Sequence, residues 1–292
     1  MNATASLNQT TAETFVDDLP VGDFPRILYD KNPLELVICQ FRFPPILKIE
    51  SELPSAFQES VRSRFPLFSD ARQSTGLATG LPRELSNLLG AMLPTPVPCT
   101  YEFTSSDGLW QITLTRESLA LTCKKYRRWE EFRTTLSVPL AALLEHYAPA
   151  FFSRIGLRYR DMICRSELGL ANVSWNELLR AELAGEFHSP LAPNIKGTAH
   201  QLILGLSESK AQVLIQHGIT PRVGQQEICY YIDNDFSTEL RRQTDHAMEI
   251  LDYFSKQSWR LFRWCIADRL HNAMGPRPIE PRSERDRAPL VR

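Results

Sequence analysis

The chain has 292 residues, 43% of them apolar and 23% charged, which allows a sizeable core and excludes a wholly disordered or membrane-embedded chain on composition. Its 33 basic and 34 acidic residues leave a net charge of −1. That balance gives no uniform positive field, so charge does not support nucleic acid as a partner.

Residues 1–24 are polar and weakly periodic and read as a flexible arm. They lack the basic start and apolar run of a secretory signal, and no stretch of the chain approaches the roughly 18 apolar residues that span a bilayer. The expectation is therefore a cytoplasmic protein with no membrane association. In that setting the six scattered cysteines, Cys39, Cys99, Cys123, Cys164, Cys229 and Cys265, are expected as reduced core thiols, because no Cys-x-x-Cys pair occurs.

A first α+β half is expected over residues 25–149. Residues 34–43 read as a strand buried on both faces, since apolar side chains occur at both parities, and Pro44 and Pro45 end it. Phe57, Val61 and Phe65 have helical spacing, and Pro66 stops that helix. After a Gly- and Pro-rich excursion with a short helix expected over 83–92, three strands follow at 100–103, 109–115 and 118–126. Pairing Thr115 with Ser118 sets Trp110, Ile112 and Leu114 against Cys123, Leu121 and Leu119, all on one side. A helix begins near Trp129, and Pro139 is expected to start a second helical piece.

A second α+β half is expected over residues 150–274. It reads as a strand at 151–164, a helix at 174–183 with Ser174 and Glu177 as a capping box, strands at 201–206, 211–216 and 227–232, and a long helix, single or broken, over 238–274. Residues 275–292 combine prolines with dense charge and read as a disordered tail. Both halves thus run strand, helix, three strands, helix. The expected fold class is α+β, antiparallel sheets covered by long helices, with the two similar halves candidates for an internal duplication.

Four segments are familiar as an ordered set: NPLELVICQFRFP from Asn32, KYRRWEEF from Lys125, RIGLRYRDMI from Arg154, and FSKQSWRLFRWCIADRLHNAMG from Phe254. Together they resemble the signatures of a sporadically distributed, uncharacterised bacterial protein family of about this length. The family pattern carries Asn where this chain has Asp161, and residues 70–98 are an insertion relative to it. What the resemblance implies is a bacterial cytosolic protein; it brings no catalytic residue with it.

Two constellations carry candidate chemistry. Alternation along RIGLRYRD sends Arg154, Arg158 and Arg160 to one face with Gly156 between them, a candidate site for a phosphate, a carboxylate or a strand of nucleic acid. The competing reading pairs these arginines with Glu130, Glu131 or Asp161. If residues 207–210 form a turn, His200 falls opposite His217, and Glu227 would complete a two-His, one-carboxylate metal set. The competing reading is two ordinary strand-end histidines. Asp233, Asp235 and Glu239 faintly suggest a calcium loop but lack its glycine, and the bland alternative has Ser237 or Thr238 capping the terminal helix. No cofactor is required by the sequence. The expected function is a non-catalytic binding or interaction module using the arginine face toward a protein partner or anionic ligand. The alternatives are a metal-dependent or phosphate-ligand enzyme, and a small-ligand pocket between helix and sheet.

Overall fold

The computed structural model describes residues 19–70, 99–206, 211–222 and 227–279. The helix expected over 83–92 lies outside them. Within them the chain builds one nine-stranded sheet and a two-stranded ribbon, with every strand pair antiparallel, in accord with the α+β expectation. In chain order the strands are β1 (Ile27–Tyr29), β2 (Leu34–Arg42), β3 (Leu67–Asp70), β4 (Thr100–Thr104), β5 (Trp110–Thr115), β6 (Ser118–Cys123), β7 (Arg154–Ile163), β8 (His200–Leu206), β9 (Ala211–Pro221), β10 (Ile228–Thr238) and β11 (Pro276–Pro278). The helices are α1 (Leu47–Ser51), α2 (Ser55–Val61), α3 (Trp129–Tyr147), α4 (Ala247–Cys265) and α5 (Asp268–Ala273).

The large sheet has the order β3-β4-β5-β6-β2-β7-β10-β9-β8, so the two halves meet where β2 pairs with β7. One face is covered by α2, α3, α4 and the segment between β7 and β8. That face holds the core, because alternate side chains of each strand point into it: Val37, Cys39 and Phe41 from β2, Ile112 and Leu114 from β5, Leu119 and Leu121 from β6, and Ile155 and Leu157 from β7 are all fully buried. The β5–β6 hairpin has the register read from its sequence, Thr115 opposite Ser118 and Trp110 opposite Cys123. Strand β2, by contrast, is buried on one face only. Leu36 and Ile38 sit half-buried on the uncovered face, and a register shift between Leu34 and Leu36 returns Leu34 to the covered side.

Local pattern and structure part where a tertiary bridge intervenes. Residues 174–183 are not a helix but begin with a single 3-10 turn, Trp175–Glu177. The backbone then leaves helical geometry to pair Leu179 with Ile266, with the Arg180 N–H donating to the Cys265 carbonyl at 3.1 Å and the Ala267 N–H donating to the Leu178 carbonyl at 2.8 Å. The same bridge separates α4 from α5, which accounts for the break in the expected terminal helix. That helix also starts later than its periodicity suggests, since β10 runs on to Thr238 and neither Ser237 nor Thr238 caps it. Pro139 starts no second piece: α3 is continuous through it.

The termini of the described chain are more engaged than their composition suggests. Leu19 is buried, and the Arg260 guanidinium donates to the Gly22 carbonyl at 2.8 Å, so residues 19–22 of the expected arm pack on α4. Past Gly275, residues 276–278 pair with β1 as β11 instead of opening the tail.

Cys164 and Cys229 are joined in a disulfide, correcting the expectation of six reduced thiols; Cys39, Cys99, Cys123 and Cys265 are free and buried. The reason is long-range register. Ile163 pairs with Tyr230, so the next residues outward, 65 apart in sequence, face each other across the β7–β10 ladder.

Phe41 stacks on Phe152 at a centroid distance of 4.8 Å beside the β2–β7 seam, and both are fully buried. Phe41→Ala should destabilise the protein by about 3–5 kcal/mol through lost transfer energy and the cavity left behind. Urea unfolding followed by far-UV circular dichroism measures this; a loss under about 1 kcal/mol would show that the seam is not part of the cooperative core.

Candidate functional site

Parity along β7 divides the chemistry of RIGLRYRDMI between the two sides of the sheet. Arg154, Arg158 and Arg160 project from the uncovered face, while Tyr159 and Asp161 point under the helices. Asp161 stands opposite Leu34 on β2 and Ile232 on β10, a carboxyl between two aliphatic neighbours at the centre of the sheet. It is 3% exposed, and no hydrogen bond or ion pair engages it among the described residues. Burial, and after it the Asp233 charge, hold this carboxyl well above the usual carboxylate range, which favours the neutral acid.

What Asp161 faces is a cavity of about 100 Å³ between α4 and the sheet. Ser255, Ser258, Trp259 and Phe262 line it from one stripe of α4 at helical spacing; Tyr159 comes from β7, and Tyr29 from the ribbon strand β1 that closes the side. Tyr126, just before α3, completes the aromatic wall, its ring edge-on to Tyr159 at 5.7 Å. The Tyr159 hydroxyl donates to Ser255 Oγ at 3.4 Å, and burial pushes its phenol up to about 12, so it is a proton holder and not a base near neutrality. Burial raises the Tyr126 phenol as well.

The rim has the opposite character. Arg26, Arg127, Arg128 and Arg263 line the cavity, and Asp161 is the one acidic residue among its lining. Arg26 is held by Glu130 and Arg263 by Asp268. Four separate sequence segments contribute to this cavity: Asn32 and Leu34 from residues 32–44, Tyr126, Arg127 and Arg128 from residues 125–132, Tyr159 and Asp161 from β7, and the stripe on α4.

The arginine face expected from sequence is present as a face, but its partners are different. Arg154 donates from Nη2 to both carboxylate oxygens of Asp235, at 2.9 and 3.0 Å, and from Nη1 to Gln40 at 3.3 Å. Arg158 donates bidentately to Asp233 at 2.7 and 2.6 Å, a contact that raises its already high pKa further. Gly156 makes this geometry feasible, since a Cβ there would overlap the Arg154 guanidinium. The acids come from β10, the segment read as a faint calcium loop; Asp161 is on the opposite face, and Glu130 is paired with Arg26. Arg160 stands opposite Asp233 in register, and its buried Nε has no hydrogen-bond partner.

His200 and His217 are opposite each other as expected, their rings stacked at 5.0 Å. Glu227 is not with them: Ile232 is the residue of β10 that faces His217, and Glu227 accepts from the backbone N–H and hydroxyl of Ser166. The carboxylate beside the imidazoles is Glu186, 2.9 Å from His200 Nε2, and the Tyr230 hydroxyl is 2.8 Å from His217 Nδ1. Burial, then the neighbouring His200, lowers His217 to about 4, so it is neutral at physiological pH. The three expected ligands are therefore not brought together. Glu227 instead lies within 4.8 Å of Cys164 and Cys229, whose sulfurs are bonded to each other and so offer no thiolate to a metal.

No protein-family model matches the chain, and a search of curated proteins finds no match. In the sequence Asp161 stands out only as the position where the resembled pattern has Asn and as a candidate ion-pair partner, and nothing there places it at a cavity. The available signal was its odd parity, which it shares with Leu157 and Tyr159.

Asp161→Asn keeps the side-chain size and removes the titration. The unfolded chain loses this proton near pH 3.9, whereas the raised folded pKa retains it, so above that pH the native state binds more protons and stability falls as pH rises. The variant should therefore gain stability relative to wild type as pH rises above about 4, by up to about 1.4 kcal/mol per pH unit until the folded carboxyl ionises. Urea midpoints that stay parallel across this range would show that Asp161 does not hold its proton on folding.

Proposed function

We propose that this chain is a non-catalytic small-ligand-binding protein whose ligand seats between α4 and the sheet, on Asp161. One observation carries the reading: a carboxyl 3% exposed, with no partner among the described residues, faces a cavity. The carboxyl has no hydrogen-bond partner among the described residues and lines the cavity, so a ligand seated there can supply one. The neutral acid offers one donor and one acceptor, which matches the edge of an amide or urea group. The volume of about 100 Å³ is smaller than the roughly 150 Å³ that accommodates benzene, so the buried portion of the ligand is a head group of a few heavy atoms. The convergence of four separate segments on this place supports the same reading, and the raised phenols of Tyr126 and Tyr159 argue for recognition over proton transfer.

A second reading keeps the arginine face as an anion or protein contact. It is favoured by Arg160, whose buried Nε lacks a partner, and opposed by the aspartates that already occupy Arg154 and Arg158. We also read the two halves as copies of one unit, since β4-β5-β6-β2 and β8-β9-β10-β7 repeat one strand order about the β2–β7 seam.

Saturation-transfer NMR with propionamide tests the cavity. The expected result is a transfer signal from wild type that disappears in Ser258→Phe, which fills the space from α4, and in Asp161→Leu, which removes the polar floor. Equal signals from all three proteins, with folding verified by circular dichroism, would place amide binding elsewhere and end this reading.

A further inference from the structure

The mouth of the cavity says what the rest of the ligand carries. Arg127 and Arg128 are exposed, and among the described residues no hydrogen bond or ion pair engages either guanidinium, unlike Arg26 and Arg263 on the same rim. Lys124 and Lys125 precede them and are exposed as well. The same two arginines lead into α3, a helix of 19 residues with Arg128 at its N-cap position and no side-chain cap on its first-turn amides. The positive end of the α3 dipole and two guanidiniums without a hydrogen bond or ion pair, of which Arg128 also acts by its charge on Glu130, therefore converge at the rim of a cavity whose floor is an unpartnered, nine-tenths-buried carboxyl. Glu130 and Glu131 in the first turn offset part of this field, and Glu130 is already engaged by Arg26.

Building on the reading of the cavity as a ligand site, we propose that the ligand is a small organic anion: a neutral, amide-like head on Asp161, joined to a carboxylate or phosphate held by Arg127, Arg128 and the N-terminus of α3. The two ends of the site select against simpler molecules. A cationic head is disfavoured by four arginines at the rim, and the burial of the acid beneath them favours its neutral form. An inorganic anion alone satisfies the rim but leaves the Asp161 carboxyl without a partner. Carboxylate and phosphate share the chemistry that guanidinium and helix amides recognise, so the tail is defined by charge and oxygen geometry.

Isothermal titration at low ionic strength separates the parts. The probes are propionamide, a series of ω-amido carboxylates from malonamate to adipamate, the corresponding ω-amidoalkyl phosphates, and inorganic phosphate. At least one amido carboxylate or amidoalkyl phosphate should bind tenfold or more tighter than propionamide, and the better series identifies the tail. Arg127→Ala/Arg128→Ala should remove that advantage while leaving propionamide affinity within twofold, and raising the salt to 0.5 M should reduce it in wild type. Propionamide binding without any gain from an anionic tail would overturn the anion assignment and leave the cavity reading standing. No binding by any amide probe would overturn both, and phosphate bound as tightly as the best amidoalkyl phosphate would overturn the two-part ligand.

Discussion

The antiparallel ladder between β2 and β7 is the constraint on which the rest of the molecule depends. It joins the two halves at the centre of one sheet, and through strict alternation it decides the side on which each residue of the RIGLRYRDMI strand appears. Arg154 and Arg158 are turned to the uncovered face, where β10 supplies their aspartates, and Tyr159 and Asp161 are turned to the helices. A slip of one residue would exchange these sets, burying guanidiniums beneath α4 and exposing Ile155 and Leu157. The fully buried row Val37, Cys39, Phe41 and Ile155, Leu157 holds the register against such a slip.

The register shift in β2 adds a local feature to this frame. By returning Leu34 to the covered side it places an aliphatic neighbour beside Asp161, with Ile232 on the other flank. An acid so enclosed is neutralised more cheaply by holding a proton than by pairing with a cation, and the arginines nearby are held at the rim instead. The result is a polar gradient along the cavity, from neutral donors and acceptors at the floor to guanidiniums at the mouth.

On the uncovered face the same ladder produces a different balance. Arg154 lies across Gly156 to reach Asp235, and Arg158 clasps Asp233, so charge that looks available in one strand is largely consumed by the next strand in the sheet. The disulfide between Cys164 and Cys229 closes the far end of this β7–β10 pair. These contacts link residues roughly 65 to 80 positions apart in sequence, and none leaves a signature in local spacing.

The sequence by itself determined what short-range alternation dictates: the antiparallel α+β character, the register of the β5–β6 hairpin and the common side of the three arginines, while the pairing of His200 with His217 was one of two registers its apolar pattern allowed. The hairpin register follows from a two-residue turn joining strands whose apolar faces must agree, and the arginine face follows from alternation along a single strand. Only the tertiary structure decided which strands became neighbours across the seam, and with that the partners of Arg154 and Arg158, the separation of Glu227 from the histidines, the Cys164–Cys229 bond and the enclosure of Asp161. The physical reason is that parity fixes the direction of a side chain from its own strand, whereas what lies in that direction depends on strand order, helix placement and bridges such as Leu179 to Ile266, which are set by packing between distant segments.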